Sequence, residues 1–276
     1  MHVLVVGGSA VSGQAALKAA RASGASCLAT SSDGRRVEHA DETAPLRLDD
    51  DGTSLQKFIQ EYASRKFDYL VYTPARGAVA IPALQATKEM VAESLAFSVQ
   101  PYLRLARAFS GRVIALSGFV TMPPLLSIYG AMTFTKLTME SLAVRFPERF
   151  GILRAGMFYS NSVRGIALLV QRRMQKDANA ELQGLHADWK KVGGRFQDFF
   201  WKRNFEYEEN YYSRHGGGAP FRPTEAEDLV RAFLRIFQGD GAPIMNLIGN
   251  WIWTDTAMPE VPASFPVELI RTDLWP

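Results

Sequence analysis

Short apolar runs alternate with helical stretches along most of the chain. Val3–Val6 is a continuous, largely β-branched run that ends at Gly7-Gly8, the mark of a strand buried on both faces. Gln14–Ala22 is rich in Ala and Leu and favours helix. Ser26–Thr30 predicts a second strand and Ala44–Leu48 a third, ended by Asp49-Asp50-Asp51-Gly52. Gly52-Thr53-Ser54 offers capping chemistry for a helix to about Ser64. Phe67–Thr73 predicts a fourth strand, broken by Pro74 and Gly77, and Ala83–Phe109 a long helix that Pro101 kinks or breaks. Val113–Gly118 predicts a fifth strand, residues 128–146 a helix, Gly151–Arg154 a sixth strand and Ile244–Ile248 a last strand closing the sheet. Strands and helices alternating at this spacing predict an α/β fold, a Rossmann-like doubly wound parallel sheet forming one domain over residues 1–276.

Ligands of such sheets bind at the carboxyl ends of the strands. That rule gathers Gly7–Gly13, Ser31–Arg36, Asp49, Thr73–Gly77, Ser117-Gly118 and Ala155–Tyr159 on one rim. A buried strand, a glycine turn and a helix place a helix N-terminus over a phosphate, and glycine lets the backbone approach it. Gly7, Gly8, Ser9, Val11, Ser12 and Gly13 are therefore expected to hold a dinucleotide pyrophosphate. The strict G-x-G-x-x-G is absent, and Ala10 stands where a looser G-x-x-G-x-x-G has its middle glycine. The second strand ends in Ser31-Ser32, followed by Asp33-Gly34-Arg35-Arg36. Hydroxyls followed by two guanidiniums suit a 2′-phosphate, so Ser31, Arg35 and Arg36 point to NADP over NAD, with Asp33 as contrary evidence.

Composition narrows the class. Charged residues make up 21% of 276, with a formal charge of +3 and no dense Lys/Arg block, so no nucleic-acid partner is expected. The one cysteine, Cys27, reads as a small buried thiol, and four scattered histidines show no metal-ligand spacing. No apolar run reaches membrane-spanning length and the first strand leaves no room for a signal peptide, so a cytoplasmic protein with no membrane partner is expected.

The order of parts over roughly residues 1–165 and 221–249 resembles the short-chain dehydrogenase/reductase family. Lys136-Leu137-Thr138-Met139-Glu140-Ser141-Leu142 is similar to the helix that carries the family's active-site lysine. Val113–Gly118 resembles the strand whose end supplies its serine, here Ser117 or, one residue on, Gly118. The resemblance implies that Asp49 meets the adenine, that Lys136 holds the nicotinamide ribose and that Ser117 or Tyr129 orients substrate, while Thr73 on the same rim is expected to bind cofactor. It also marks departures. The family's proton-transferring tyrosine lies four residues before its lysine, and that position is Met132. Tyr129, the nearest phenol, is seven residues from Lys136, about two turns or roughly 10 Å along a helix. Gln100 replaces the asparagine of the preceding helix, and Thr73-Pro74-Ala75-Arg76-Gly77 the usual Asn-Ala-Gly.

Residues 160–222 form a long insert, with helices expected over Gly165–Met174 and from His186, and then a dense run of aromatics. Trp189, Phe196, Phe199, Phe200, Trp201, Phe205, Tyr207, Tyr211 and Tyr212 lie among interleaved charges. They read as core, as a lid over an apolar or aromatic substrate hinged at Gly216-Gly217-Gly218, or as a homo-oligomer face. Thr224 is expected to cap the next helix, with Glu227 completing a capping box, and a Pro-rich tail over residues 251–276 to wrap the surface. Three functions follow as expectations. The first is an atypical NADPH-dependent reductase of apolar or aromatic carbonyls, imines or iminium ions, in specialised metabolism, with Lys136, Ser117 and Tyr129 at its centre. The second is a non-redox cyclase or isomerase on the same fold. The third is a non-catalytic nucleotide-sensing or partner-binding protein.

Overall fold

The computed structural model describes residues 1–48, 52–176, 179–215 and 218–276. Eight strands form one sheet in the order β3-β2-β1-β4-β5-β6-β7-β8. They are β1 (His2–Val6), β2 (Ser26–Ser31), β3 (Glu42–Pro45), β4 (Tyr69–Tyr72), β5 (Arg112–Gly118), β6 (Phe150–Ala155), β7 (Ile244–Ile248) and β8 (Trp251–Asp255). The first seven run parallel. β1 lies between β2 and β4, so the chain winds outward in both directions from it, which is the doubly wound α/β architecture.

The alternation of β1 explains its all-apolar sequence. Val3 and Val5 enter the core layer under α1 (Val11–Ala22) and α9 (Ala226–Phe237). Leu4 and Val6 enter the layer under α2 (Thr53–Tyr62), α3 (Lys88–Ala108) and α5 (Gly130–Arg145). Every one of these four side chains is at most 1% exposed. Cys27 in β2 is likewise buried, and burial pushes its thiol up to about 11.

Four local expectations are corrected. The third strand is Glu42–Pro45, two residues earlier than the apolar pattern of Ala44–Leu48 suggests, because its register runs from Leu28↔Glu42 to Ser31↔Pro45. Pro101 does not break α3, which runs unbroken from Lys88 with Thr87 capping it. Ile244–Ile248 does not close the sheet. Gly249, at φ +57, and Asn250 turn the chain back, so that Trp251–Asp255 pairs antiparallel with β7 as the true edge. The cap of α9 is Glu225, with Asp228 as its reciprocal partner; Thr224 instead accepts the Gly249 N–H at 2.9 Å. Asp228 wins that role because its buried carboxylate is also held by Arg222 and Arg231.

The insert is helical: α6 (Asn161–Met174), α7 (Ala180–Val192) and α8 (Phe196–His215). α4 (Pro123–Leu126) is a single turn between β5 and α5. Phe196 and Phe200 join Ala167, Val170, Met174, Leu182 and Leu185 in a separate apolar cluster that reaches Ala80 and Ile128 of the main body. Gly216 and Gly217 of the expected hinge lie outside the described residues. Beyond β8 the tail lies along the α3–α5 side: Phe265 stacks on Phe134 at 4.9 Å, and Trp275 meets Phe150 edge-on at 4.9 Å.

Candidate active site

At the end of β1 the turn is built by close backbone approach. Gly7 sits at φ +80 and donates its N–H to Thr30 Oγ1 at 3.2 Å. Thr73 Oγ1, from the end of β4, donates to the Val6 and Gly7 carbonyls at 3.0 and 3.2 Å. A Cβ at Gly13 would stand 2.3 Å from the Gly7 carbonyl oxygen and 2.8 Å from Gly8 Cα. The first turn of α1 therefore lies directly on the glycine turn, and nothing larger than glycine fits at residue 13. Ala10 is the N-cap residue and supplies no side-chain cap, so the first N–H groups of α1 point outward without an intrahelical partner. A glycine cradle under an uncapped helix N-terminus fits a phosphate.

Beside the turn lies a cavity of about 280 Å³. Gly7 and Ser9 line it from the β1 turn, Thr30, Ser31 and Ser32 from β2, Leu46 and Leu48 from β3, Pro74, Ala75 and Arg76 from β4, and Phe97 from α3. Ser31 is buried and donates to the Arg35 carbonyl at 3.0 Å. Arg35 and Arg36 do not line the cavity. Arg35 is 88% exposed and pairs with Asp33 at 3.1 Å. The Asp33 carboxyl accepts the Arg35 backbone N–H, and that hydrogen bond holds it below the usual carboxylate range. Arg36 is exposed. The arginine that does line the cavity is Arg76, also exposed, in the Thr73–Gly77 loop of the rim. Asp49 lies outside the described residues.

The other end of the rim is organised differently from the expectation. Lys136 is 5% exposed and its Nζ donates to the Leu116 carbonyl at 2.7 Å, so it is turned into the sheet. Burial pushes it down to about 8, against the opposing pull of Glu140. Ser117 donates to Glu140 Oε1 at 2.6 Å. Glu140 in turn pairs with Arg154 at 2.6 Å, and Arg154 donates to Asn246 at 2.9 Å and reaches Asp255. All but Asp255 are buried, so Ser117 and Lys136 belong to the polar interior between α5 and the sheet. The apolar signals around Lys136 and Ser117 gave no warning of this, because the partners Arg154, Asn246 and Asp255 are distant in sequence.

Tyr129 precedes α5, forms a β-bridge with Ile81, and packs on the α3–α5 core layer. Burial pushes its phenol up to about 12, opposite to the activation that proton transfer requires. Met132 is 5% exposed, and its Cγ would lie 3.1 Å from a Cβ at Gly77. No hydrogen bond among the described residues joins Tyr129, Lys136 and Ser117 to one another. The structure thus gathers the glycine turn, Ser31 and Thr73, and separates them from three side chains that have internal partners or apolar surroundings.

The sequence also gave no sign of Glu208. It lies on α8, 4% exposed, and accepts the Met157 N–H at the end of β6 with Oε1 while Oε2 has no partner. Burial pushes it up to about 8. Nearby, on the outer flank of α8, a groove of about 630 Å³ is lined by Tyr159, Trp201 and Phe205 with charged residues around them. The Tyr159 and Trp201 rings are 4.4 Å apart, and Trp201 and Phe205 stack at 5.6 Å.

No family model matches this sequence, and no curated relative does either. Solved structures do match. A short-chain dehydrogenase from Streptomyces avermitilis is 19% identical, with 90% of this chain and 88% of that one covered at a TM-score of 0.53. A 3-oxoacyl-(acyl-carrier-protein) reductase from Agrobacterium tumefaciens C58, solved with NADP bound, is 16% identical over 90% and 93% at 0.56. An NADPH-dependent reductase involved in bacilysin biosynthesis is 16% identical over 90% and 95% at 0.54. The fold is that of the short-chain dehydrogenases/reductases. No helix among the described residues is long and apolar enough to cross a membrane.

Proposed function

We propose that this chain is an NADP(H)-dependent reductase that acts on apolar or aromatic iminium ions, including imines already protonated on nitrogen, more readily than on simple carbonyls. One observation carries the dinucleotide part: the uncapped N-terminus of α1 lies on a turn in which Gly13 has room for no side chain, and a cavity lined by Ser31, Ser32 and Arg76 opens beside it. Gly7, Gly8, Ser9, Val11, Ser12 and Gly13 would hold the pyrophosphate, and Thr73 keeps the turn closed from below. Bound NADPH supplies a hydride.

The acceptor class is supported by what surrounds Lys136. Met132 carries no proton, Ser117 donates to Glu140, Lys136 donates to a backbone carbonyl and Tyr129 is a weakened acid. Reduction of a carbonyl needs a proton at oxygen. Hydride addition to an iminium carbon neutralises the nitrogen without one, so the acceptor's own charge replaces the missing acid. The exposed ring of Tyr159, with Trp201 and Phe205 behind it, offers stacking surface for such a substrate.

The same absence of a proton-transfer group favours a second reading, a cyclase or isomerase that works by shape and electrostatics. Incubating the protein with NADPH and a matched panel of aryl ketones and cyclic iminium ions, while following absorbance at the reduced cofactor's band, separates the two. NADPH consumption with the iminium ions is expected. Tight NADPH binding with no acceptor turned over would remove the reductase reading, and rearrangement of substrate in nucleotide-free protein would establish the second.

A further inference from the structure

The guanidinium over the nucleotide cavity has no anion of its own. Arg76 follows β4 by four residues and lines the same space as Gly7, Ser9, Ser31 and Ser32. Among the described residues no carboxylate pairs with it, whereas Arg35, Arg154, Arg195, Arg222 and Arg231 each have one. Ser9 and Ser32, both exposed, line the same space. A cation with no carboxylate of its own beside hydroxyl donors is an arrangement that an anion completes.

Arg76 is also held in place. Its N–H donates to Ser98 Oγ at 2.7 Å, and the same hydroxyl donates to the Arg76 carbonyl at 2.7 Å. Ser98 is 1% exposed and fixed on α3, so one buried hydroxyl grips the residue from both sides. The guanidinium lies over the Phe97 ring at 4.9 Å from its centre, one residue before Ser98 on the same helix. The double clamp fixes the Arg76 backbone, and the cation–π contact holds its exposed guanidinium against Phe97, which reduces the rotamer freedom lost on binding.

We infer that Arg76 pairs with a phosphate of the adenosine half of the dinucleotide, and that it does so in place of Arg35 and Arg36. This rests on the proposed dinucleotide site and names the side chain that gives it charge selectivity. Two phosphates lie within the chemistry of that half, the 5′-pyrophosphate and the ribose 2′-phosphate, and a planar fork of donors suits either.

The test is equilibrium binding to the full-length protein, read by quenching of intrinsic tryptophan fluorescence and by calorimetry. The ligands are NADPH, NADH, adenosine 5′-diphosphate, adenosine 2′,5′-bisphosphate and adenosine, with the wild type, Arg76→Gln, Arg76→Lys and the double variant Arg35→Gln/Arg36→Gln. Arg76→Gln is expected to weaken NADPH at least tenfold, Arg76→Lys to recover part of that loss, and the double variant to stay within twofold. A loss confined to NADPH and the 2′,5′-bisphosphate assigns the 2′-phosphate. An equal loss on NADH and the diphosphate assigns the pyrophosphate. Unchanged NADPH affinity in Arg76→Gln overturns the inference, and so does an equal loss on uncharged adenosine, which would make the guanidinium a stacking surface only. Absence of any dinucleotide binding in the wild type overturns the proposed function itself, a result distinct from both.

Discussion

Ser117 and Glu140 share a 2.6 Å hydrogen bond in which the hydroxyl donates to Oε1, and the other carboxylate oxygen receives Arg154. Ser117, one residue before the end of β5, is thus a buried member of a charge network. Glu140→Ala would leave Arg154 buried with only Asn246 and the half-exposed Asp255. Breaking one partner out of a buried pair costs about 3–5 kcal/mol, and that loss is expected in urea denaturation. Ser117→Ala removes one charged hydrogen bond and should cost about 1–3 kcal/mol while sparing NADPH affinity. A Ser117→Ala protein of unchanged stability would argue against this placement of the hydroxyl.

Glu208 makes a prediction about pH. Burial raises its carboxyl from 4.5 to about 8, so the folded state holds a proton that the unfolded state releases between those values. Stability from this group is present below pH 4.5 and is lost as pH rises through about 8, with a slope of at most about 1.4 kcal/mol per pH unit. Glu208→Gln keeps an acceptor for the Met157 N–H and cannot ionise. Its Tm should exceed that of the wild type at pH 9 and approach it at pH 5. Parallel Tm curves across that range would rule the buried carboxylate out as their cause.

Gly13→Ala tests the cradle. The added Cβ meets backbone atoms at 2.3 and 2.8 Å, so the helix and the turn must separate. Overpacking of this kind costs about 1–3 kcal/mol. The turn geometry changes with it, so NADPH affinity should fall at least tenfold even where circular dichroism shows the fold intact.

The tail is expected to contribute to stability. Phe265 is 4% exposed and stacks on Phe134 of α5, which is fully buried. Phe265→Ala should cost about 3–5 kcal/mol in denaturant. Removing residues 258–276 strips Phe265 and Trp275 from the α3–α5 face at once. Sedimentation of that variant should show self-association through the uncovered apolar surface.

The fold was legible because a strand buried on both faces needs a continuous apolar run, and β1, β4, β5 and β6 each carry one, too short for a helix. The edge strand β8 was not legible as such, although Gly249-Asn250 between apolar residues is a hairpin signal; its tryptophans and the prolines that follow read as tail. At the site, the glycine turn could be read because its cause is local. The roles of Ser117 and Lys136 could not, because they are set by Glu140, Arg154 and the Leu116 carbonyl, which only the folded sheet brings together. Arg35-Arg36 attracted attention as a pair of adjacent charges. Arg76 was a lone charge, and the residue that holds its backbone, Ser98, lies on a different element.

The segment from Pro74 to Ile81 touches both ends of the rim. The Arg76 backbone is clamped to α3 beside the cavity at the glycine turn, the Ala80 N–H donates to the Ile128 carbonyl at 2.6 Å, and Ile81 bridges Tyr129 at the entrance to α5. Ala80 stands at φ +64, an unusual conformation for a residue with a Cβ, and is buried there. The strip between the two anchors ties the cavity beside the glycine turn to the start of α5. A change in its length would therefore be felt at both ends of the rim, with neither able to move alone.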